Sequence, residues 1–291
     1  MKRRGLQFIE AGNALVGSPR GDEIGFQHAI LAQVGLPRSR VTGSSFQRTS
    51  GNASLLVSAG QMWNGKRWVP QPVPYGVKPR LALIHVCSEA IRRRNAVVDV
   101  GGSVREFLHS MGLGDSGKEY AAFRRQMMAL AACEMRLGFQ DWTLKCSPID
   151  GFNAWLGDTG EQHSMWSGII RLSAPFYETL SKHAVPLDNR AVASLRSSAL
   201  AIDVYTWLAH RLWRIGPTPV KVTWHHLHEQ FGQEFIEIKD FKRRMLVALR
   251  AALAVYPDAK VAQVSGGLLL SESKPPVART TFRAAWLKPS Y

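Results

Sequence analysis

Apolar residues recur at helical spacing in three successive stretches of the first half of the chain, and three more follow in the second half. In the first half, Arg80 to Arg93 (RLALIHVCSEAIRR) reads as an apolar helix, and Val97-Val98-Asp99-Val100 alternates as a short strand. Val104 to Met111 reads as a second helix, stopped by Gly112. The turn GLGDSG leads to a third helix pattern, Lys118 to Cys133, and a strand-like region runs from Glu134 to Leu144. In the second half the order repeats. Ala199 to Ile215 reads as a helix, Val220-Lys221-Val222-Thr223 as a strand, Trp224 to Phe231 as a helix stopped by Gly232, and Lys239 to Val255 as the third helix. Two strand-like runs, Lys260 to Val264 and Leu268 to Ser271, are joined by Ser265-Gly266-Gly267, a hairpin signal.

The registers of the two halves agree. Phe123-Arg124-Arg125-Gln126-Met127 aligns with Phe241-Lys242-Arg243-Arg244-Met245, Met111-Gly112 with Phe231-Gly232, and Val98 and Val100 with Val220 and Val222. Helix, strand, helix, turn, helix, hairpin is the order of a winged helix, whose third helix can lie in a DNA major groove. The fold class expected is therefore α+β, with two tandem winged-helix domains related by internal duplication and an N-terminal extension. The boundaries expected are 1–60 for the extension, 61–178 for the first domain and 179–291 for the second.

The faces of the third helices test this order. With Phe241 at 0° and about 100° per residue, Met245, Ala248, Leu249 and Ala252 fall within about 80° of it and form a core stripe. Lys239, Arg243 and Arg250 fall at about 160–200°, on the opposite face, flanked by Lys242 and Arg244, with Val247 and Ala254 beside them. In the first half Tyr120, Phe123, Met127 and Leu130 face the core, and Lys118 and Arg125 face away, with Ala121, Met128 and Ala129 beside them. Ser116-Gly117-Lys118-Glu119 reads as a capping box that starts this helix.

Charge points the same way. The chain has 291 residues, a formal net charge of +15 and 45% hydrophobic residues. Residues 1–60 hold 7 basic and 3 acidic residues, 61–135 hold 11 and 6, 136–185 hold 4 and 5, and 186–291 hold 15 and 8. The excess sits in the two halves and a basic leader, as a polyanion partner requires. The composition excludes a disordered tail, three cysteines exclude a disulfide scaffold, and no apolar run of about 18 residues offers a membrane span. Lys2, Arg3 and Arg4 precede a stretch broken by Glu10, Gly12 and Asn13, a poor export signal. Cys87, Cys133 and Cys146 form no C-x-x-C pair and read as buried reduced thiols of a cytoplasmic protein.

Two enzyme-like motifs fail on inspection. Gly112 to Lys118 approaches a phosphate-binding P-loop, but Glu119 stands where Ser or Thr would hold magnesium. His226-Leu227-His228 with Tyr256 resembles the pattern of rolling-circle nickases. On a helix, however, positions 226 and 228 diverge by about 200°, and Pro257 follows the tyrosine. His225 and His228 could share a metal but lack an evident third ligand. The expectation is a non-enzymatic protein with no cofactor and no metal.

The runs QPVPYGVKPRLALIHVCSEAIRRR (71–94), EFLHSMGL (106–113) and FRRQMMALAAC (123–133) resemble the first half of plasmid RepA replication initiators. HAVPLDNRAVASLRSSALAIDVYTWLAHRL (183–212), HEQFGQEF (228–235), KDFKRRMLVALRAALAVYPDAKV (239–261) and SGGLLL (265–270) resemble the second. The stretch from Asp141 to Trp166 has no obvious place in the pattern. The resemblance implies a plasmid-encoded initiator that binds direct repeats (iterons) in the origin. It also implies help in opening the adjacent AT-rich duplex, recruitment of host DnaA and the DnaB helicase, and a homodimer that represses its own promoter. Lys118, Arg124, Arg125, Met128, Lys239, Lys242, Arg243, Arg244, Arg250 and Lys260 are then the candidate DNA contacts. Arg125 and Arg243 are the candidates for guanine recognition, the other cations for phosphates. The competing readings are a winged-helix transcriptional repressor without initiator activity and, less favoured by the residues, the nickase.

Overall fold

The structure is a computed structural model and describes residues 17–152 and 168–278. The leader with Lys2, Arg3 and Arg4, and the later part of the stretch from Asp141 to Trp166, lie outside the described residues. In chain order the structure begins with β1 (Ile24–His28), α1 (Ala29–Gln33), β2 (Ser45–Ser50), β3 (Ala53–Ser58), β4 (Gln61–Trp63) and β5 (Trp68–Pro70). Next come α2 (Val77–Arg93), β6 (Val97–Asp99), α3 (Val104–Ser110), α4 (Gly117–Ala132), β7 (Glu134–Phe139), β8 (Trp142–Cys146), β9 (Ile149–Phe152), β10 (Ile169–Leu172) and α5 (Ala174–His183). The chain continues with β11 (Ala184–Asp188), α6 (Asn189–Ser194), α7 (Ala199–Arg211), β12 (Val220–Thr223), α8 (Trp224–Phe231), α9 (Ile238–Ala254), β13 (Val261–Val264) and β14 (Gly267–Leu270). Contacts divide the chain into a first unit, residues 35–184, and a second, the chain before 35 together with the chain from 185 onward. The division therefore falls at 34/35 and 184/185, rather than at 60/61 and 178/179. Within the stretch expected as an extension, β1 pairs with β11 in the second unit while β2 and β3 join a sheet of the first.

In the first unit, β6, β10 and β9 pair in that order, with Val98 opposite Ile170. Helices α2, α3 and α4 complete a winged helix. Their ends follow from the sequence. Ser103 accepts from the Glu106 amide at 3.1 Å and starts α3. Gly112, at φ 65°, ends that turn, its amide bonded to the His109 carbonyl at 2.8 Å. Ser116 accepts from the Glu119 amide at 3.4 Å and starts α4. Only this half of the expected capping box is seen, because the Glu119 carboxylate pairs with Lys78 at 2.8 Å. Phe107, Phe123, Met127 and Leu130 are wholly buried.

The strand-like region from Glu134 to Leu144 is a hairpin, β7–β8, but it is not the wing. It belongs to a second sheet of order β2-β3-β7-β8, with Leu55 opposite Leu137 and Val57 opposite Met135, all fully buried. The open edge of β7 needed a partner strand, and β3, already paired with β2, supplies it. The wing strands of this unit are β9 and β10, further along the chain. Two buried arginines hold the segment that enters the unit. Arg48 donates to the Gly35 and Leu36 carbonyls at 3.0 and 3.4 Å. Arg80 donates to the carbonyls of Pro37 at 3.0 Å, Gly76 at 2.7 Å and Leu36.

The second unit repeats the design: β12, β14 and β13 pair in that order around α7, α8 and α9. Phe241 and Met245 are wholly buried, as are Phe123 and Met127 at the matched positions. Met111 and Phe231 are both buried; the strand register is looser, since Val98 is buried while Val220 is exposed. Helix α7 is buried all round from Leu200 to Ala209, Asp203 and Thr206 included. β1, buried at every position, pairs with β11, and Gln230 of α8 donates to the Gln33 carbonyl of α1 at 2.7 Å. Among the described residues no helix is long and apolar enough to cross a membrane.

Gly267 shows how tightly the wing closes: an added Cβ would lie 2.0 Å from the Val222 carbonyl oxygen and 2.9 Å from the Thr223 Cα. Gly267→Ala is expected to destabilise the protein by about 1–3 kcal/mol, read as a lower urea midpoint. Gly216→Ala, where a Cβ meets nothing within 4 Å, should stay within about 0.5 kcal/mol of the parent.

His210 on α7 gives a pH dependence. Burial, reinforced by Arg214 and Arg211, lowers its pKa to about 3. In the unfolded chain it titrates near about 6.5, so below that pH the unfolded state takes up a proton that the folded state refuses. Stability is then fully present above about pH 6.5 and is lost as pH falls toward about 3. His210→Gln should flatten the fall in urea midpoint between about pH 7 and 4.5.

Candidate nucleic-acid interface

The third helix of each unit buries one face and offers cations on the other. On α4, Phe123, Gln126, Met127, Ala129 and Leu130 are buried; Ala129, expected beside the outward cations, belongs instead to the core face, next to Leu130. The Phe123 ring meets Phe107 edge-on, with centroids 5.5 Å apart. Lys118, Ala121 and Arg125 are exposed, and Met128 is half-buried. Positions three and four apart on a helix are neighbours, so these four form one stripe. Arg124 lies half-buried at its edge. Tyr120, expected in the core, is exposed: it sits nearly a turn ahead of Phe123, the first residue of the helix that the core covers. Gln126 is buried for a reason the sequence did not show: its side-chain oxygen accepts from the Tyr75 amide at 2.7 Å and so anchors the proline-rich entry, Pro70, Pro72 and Pro74, to α4.

On α9 the buried stripe is Phe241, Met245, Ala248, Leu249, Ala251 and Ala252, as the spacing predicts with Ala251 added. Lys239, Arg243, Arg244 and Arg250 are exposed, and Val247 is exposed on the next turn after Arg243. Arg243 pairs with Asp240 at 2.9 Å. Both side chains are largely in water, so the pair is worth at most about 1 kcal/mol and yields to a stronger anion. The Arg250 Nε donates to the Leu246 carbonyl at 3.2 Å. Lys242 is half-buried, with its ammonium 5.1 Å from the ring centroid of buried Trp224. That cation–π contact holds its charge at the rim of the stripe.

Lys260 precedes β13, its amide donating to Ser273 Oγ at 3.0 Å and its carbonyl accepting from the Ser271 amide at 3.0 Å. It thus stands at the strand end away from the wing turn Ser265-Gly266. The cation near that turn is Lys221, whose Nζ would lie 3.6 Å from a Cβ added at Gly266. The sequence reading passed over Lys221, although the alternation in β12 places it on the outer face. Two residues of the nickase-like motif are engaged elsewhere. The His228 ring packs edge-on against Phe241 at 5.2 Å. The Tyr256 hydroxyl donates to the Lys274 carbonyl at 2.7 Å, and burial raises its pKa. The three cysteines are free and buried, and burial raises all three thiol pKa values.

Residues 73–225, more than half of the chain, match the family described as plasmid encoded RepA protein. The chain belongs to this RepA family. No curated protein matches it. Solved structures that share its fold include two of RctB. The crystal structure of RctB domains 2-3 is 12% identical, with a TM-score of 0.50, and the match covers 83% of this chain and 94% of that one. A selenomethionine derivative of RctB domain 2 and domain 3 is 13% identical, with a TM-score of 0.50, and the match covers 84% and 98%. Membership of the RepA family, with this tandem fold, supports a replication initiator.

In this RepA-family chain Arg243 and Lys242 give the sharpest test of the candidate interface. Arg243→Ala should relax base choice at one position of the bound site, a discrimination of about 1–3 kcal/mol. Lys242→Ala should weaken all duplexes alike and lower the slope of log Kd against log salt by about one. Competition binding with single-base variants of the site, at several salt concentrations, separates the two effects.

Proposed function

We propose that this RepA-family chain is a non-enzymatic plasmid replication initiator that binds double-stranded origin DNA through α4 and α9. The observation that carries the reading is the duplication itself. Two winged-helix units present a cationic stripe on the same helix, Lys118 and Arg125 in one, Lys239, Arg243 and Arg250 in the other. Phosphate contacts from such stripes set affinity and register, and a few side chains at base edges set sequence choice. The stripes differ in sequence, AAFRRQMM against DFKRRMLV. Two unlike readers on one chain suit the two unlike halves of an asymmetric direct repeat, which makes iterons the proposed site. Engagement of host DnaA and DnaB, a homodimer acting on its own promoter and a cytoplasmic location belong to the same proposal and rest on family resemblance.

The repressor alternative predicts tight operator binding without origin activity. The nickase alternative needs an accessible tyrosine, and Tyr256 is buried with its hydroxyl engaged. Footprinting on the plasmid origin at two salt concentrations should show protection repeating at the iteron spacing and weakening steeply with salt. An origin plasmid should replicate with the parent protein and fail with a variant carrying both Arg125→Ala and Arg243→Ala. Protection confined to the promoter, with no support of replication, would make the protein a repressor. Metal-dependent strand cleavage lost in Tyr256→Phe would make it a nickase.

A further inference from the structure

The hairpin of β4 and β5 carries two indoles that duplex reading by α4 and α9 does not use. Trp63 and Trp68 are cross-strand partners, with ring centroids 5.7 Å apart and planes tilted by 59°. They are 44% and 62% exposed. Met62 and Val69, on the other face of the ribbon, are half-buried, so alternation along two short strands turns both tryptophans outward. The turn between them is locked. Gly65 takes φ 92°, the Asn64 amide donates to the Arg67 carbonyl at 3.2 Å, and Asn64 Oδ1 accepts from the amides of Lys66 and Arg67 at 3.0 and 2.8 Å. Lys66 and Arg67 are both exposed.

The base of the ribbon is fixed as well. The Gln71 amide donates to the Gly60 carbonyl at 2.9 Å. Gly60 lies so close to the last residue of α4 that an added Cβ would sit 1.9 Å from the Ala132 carbonyl oxygen. The ribbon is therefore a rigid arm rising from the carboxyl end of α4, not a loose loop. Along the chain the charge is one-sided: residues 24–88 contain no Asp or Glu and seven Lys or Arg.

Two bare indoles beside two cations, on a stretch free of carboxylates, fit a polyanion that also offers ring faces. A DNA duplex offers its phosphates but keeps its base faces stacked inside. An acidic protein surface satisfies the cations but stacks on the indoles only where it happens to place aromatic side chains of its own. A single strand offers both, and base–aromatic stacking beside a basic track is how such strands are held. We propose that Trp63, Trp68, Lys66 and Arg67 form a single-stranded DNA site that draws on none of the duplex-reading cations. It goes beyond the function proposed above, and the two can fail separately.

The test uses the full chain, a fluorescein-labelled twenty-residue oligo(dT) and a labelled origin duplex, read by anisotropy. Trp68→Ala, and the variant with both tryptophans changed to alanine, should weaken oligo(dT) binding by about tenfold or more. Duplex binding should stay within about twofold of the parent. Trp68→Phe should keep most of the oligo(dT) affinity, since a phenyl ring still stacks. Lys66→Ala with Arg67→Ala leaves the tryptophan pair intact. It should lower the single-strand salt slope by about 1.4, at about 0.7 per neutralised phosphate. Arg243→Ala should do the reverse of Trp68→Ala, impairing duplex binding and sparing oligo(dT). A parent protein that does not bind oligo(dT), or a Trp68→Ala variant that binds it unchanged, overturns the proposal. So does a parallel loss of duplex binding with a lowered melting temperature in both variant pairs. A change of oligomeric state by light scattering, with oligo(dT) binding intact, would identify the face as a protein contact and overturn it too. Trp68-dependent oligo(dT) binding by a protein that ignores origin duplex would leave this site standing and remove the duplex function.

Discussion

The short strand ahead of each helix pair hydrogen-bonds to the last strand of the wing, β6 to β10 in one unit and β12 to β14 in the other, and the geometry of each reading helix depends on that pairing. The helix pair and the rest of the wing lie between the paired strands, so the ladder ties the two ends of that segment together. The closeness of Gly267 to the Val222 carbonyl shows how little room the ladder leaves. Loop-closure entropy grows only slowly with the length enclosed. The first unit can therefore hold an additional hairpin, β7–β8, inside the same closure and still form the same sheet order.

The cationic stripes are a consequence of this closure rather than an independent feature. Once Phe123 and Met127, or Phe241 and Met245, are sealed into the core, helical geometry leaves Lys118 and Arg125, or Lys239, Arg243 and Arg250, facing solvent. The charge is adjusted locally. Asp240 holds Arg243 in a weak exposed pair, and Trp224 steadies Lys242 from below. In the first unit Lys78 takes up the Glu119 carboxylate at the start of α4 and Arg105 pairs with Asp115 just ahead of it, offsetting two acidic groups that would oppose an anion there. Helix, positive face and wing together form the electrostatic surface proposed above to meet a duplex.

The two units diverge where the common closure makes no demand. The first adds a four-stranded sheet and the β4–β5 ribbon; the second adds β1, α1, β11 and α6, with α1 bound to α8 through Gln230. These additions bury apolar faces of the shared helices and strands that would otherwise meet water.

Much was legible in the sequence because it is local. Helical spacing fixed which side of α4 and α9 is apolar, serines and glycines marked the helix ends, and the two registers exposed the duplication. Tyr120 escaped this logic, because a stripe of apolar residues does not say where along a helix the core stops. Pairing between distant strands escaped it as well. The alternation of Glu134 to Phe139 announces a strand, but only β3 decides which sheet it joins. The burial of Arg48, Arg80 and Gln126 depends on backbone carbonyls and amides brought in from elsewhere in the chain, groups that carry no sequence signal. Short-range periodicity is written residue by residue. The choice of partner is a property of the folded whole, set by which apolar faces remain uncovered once the local elements have formed.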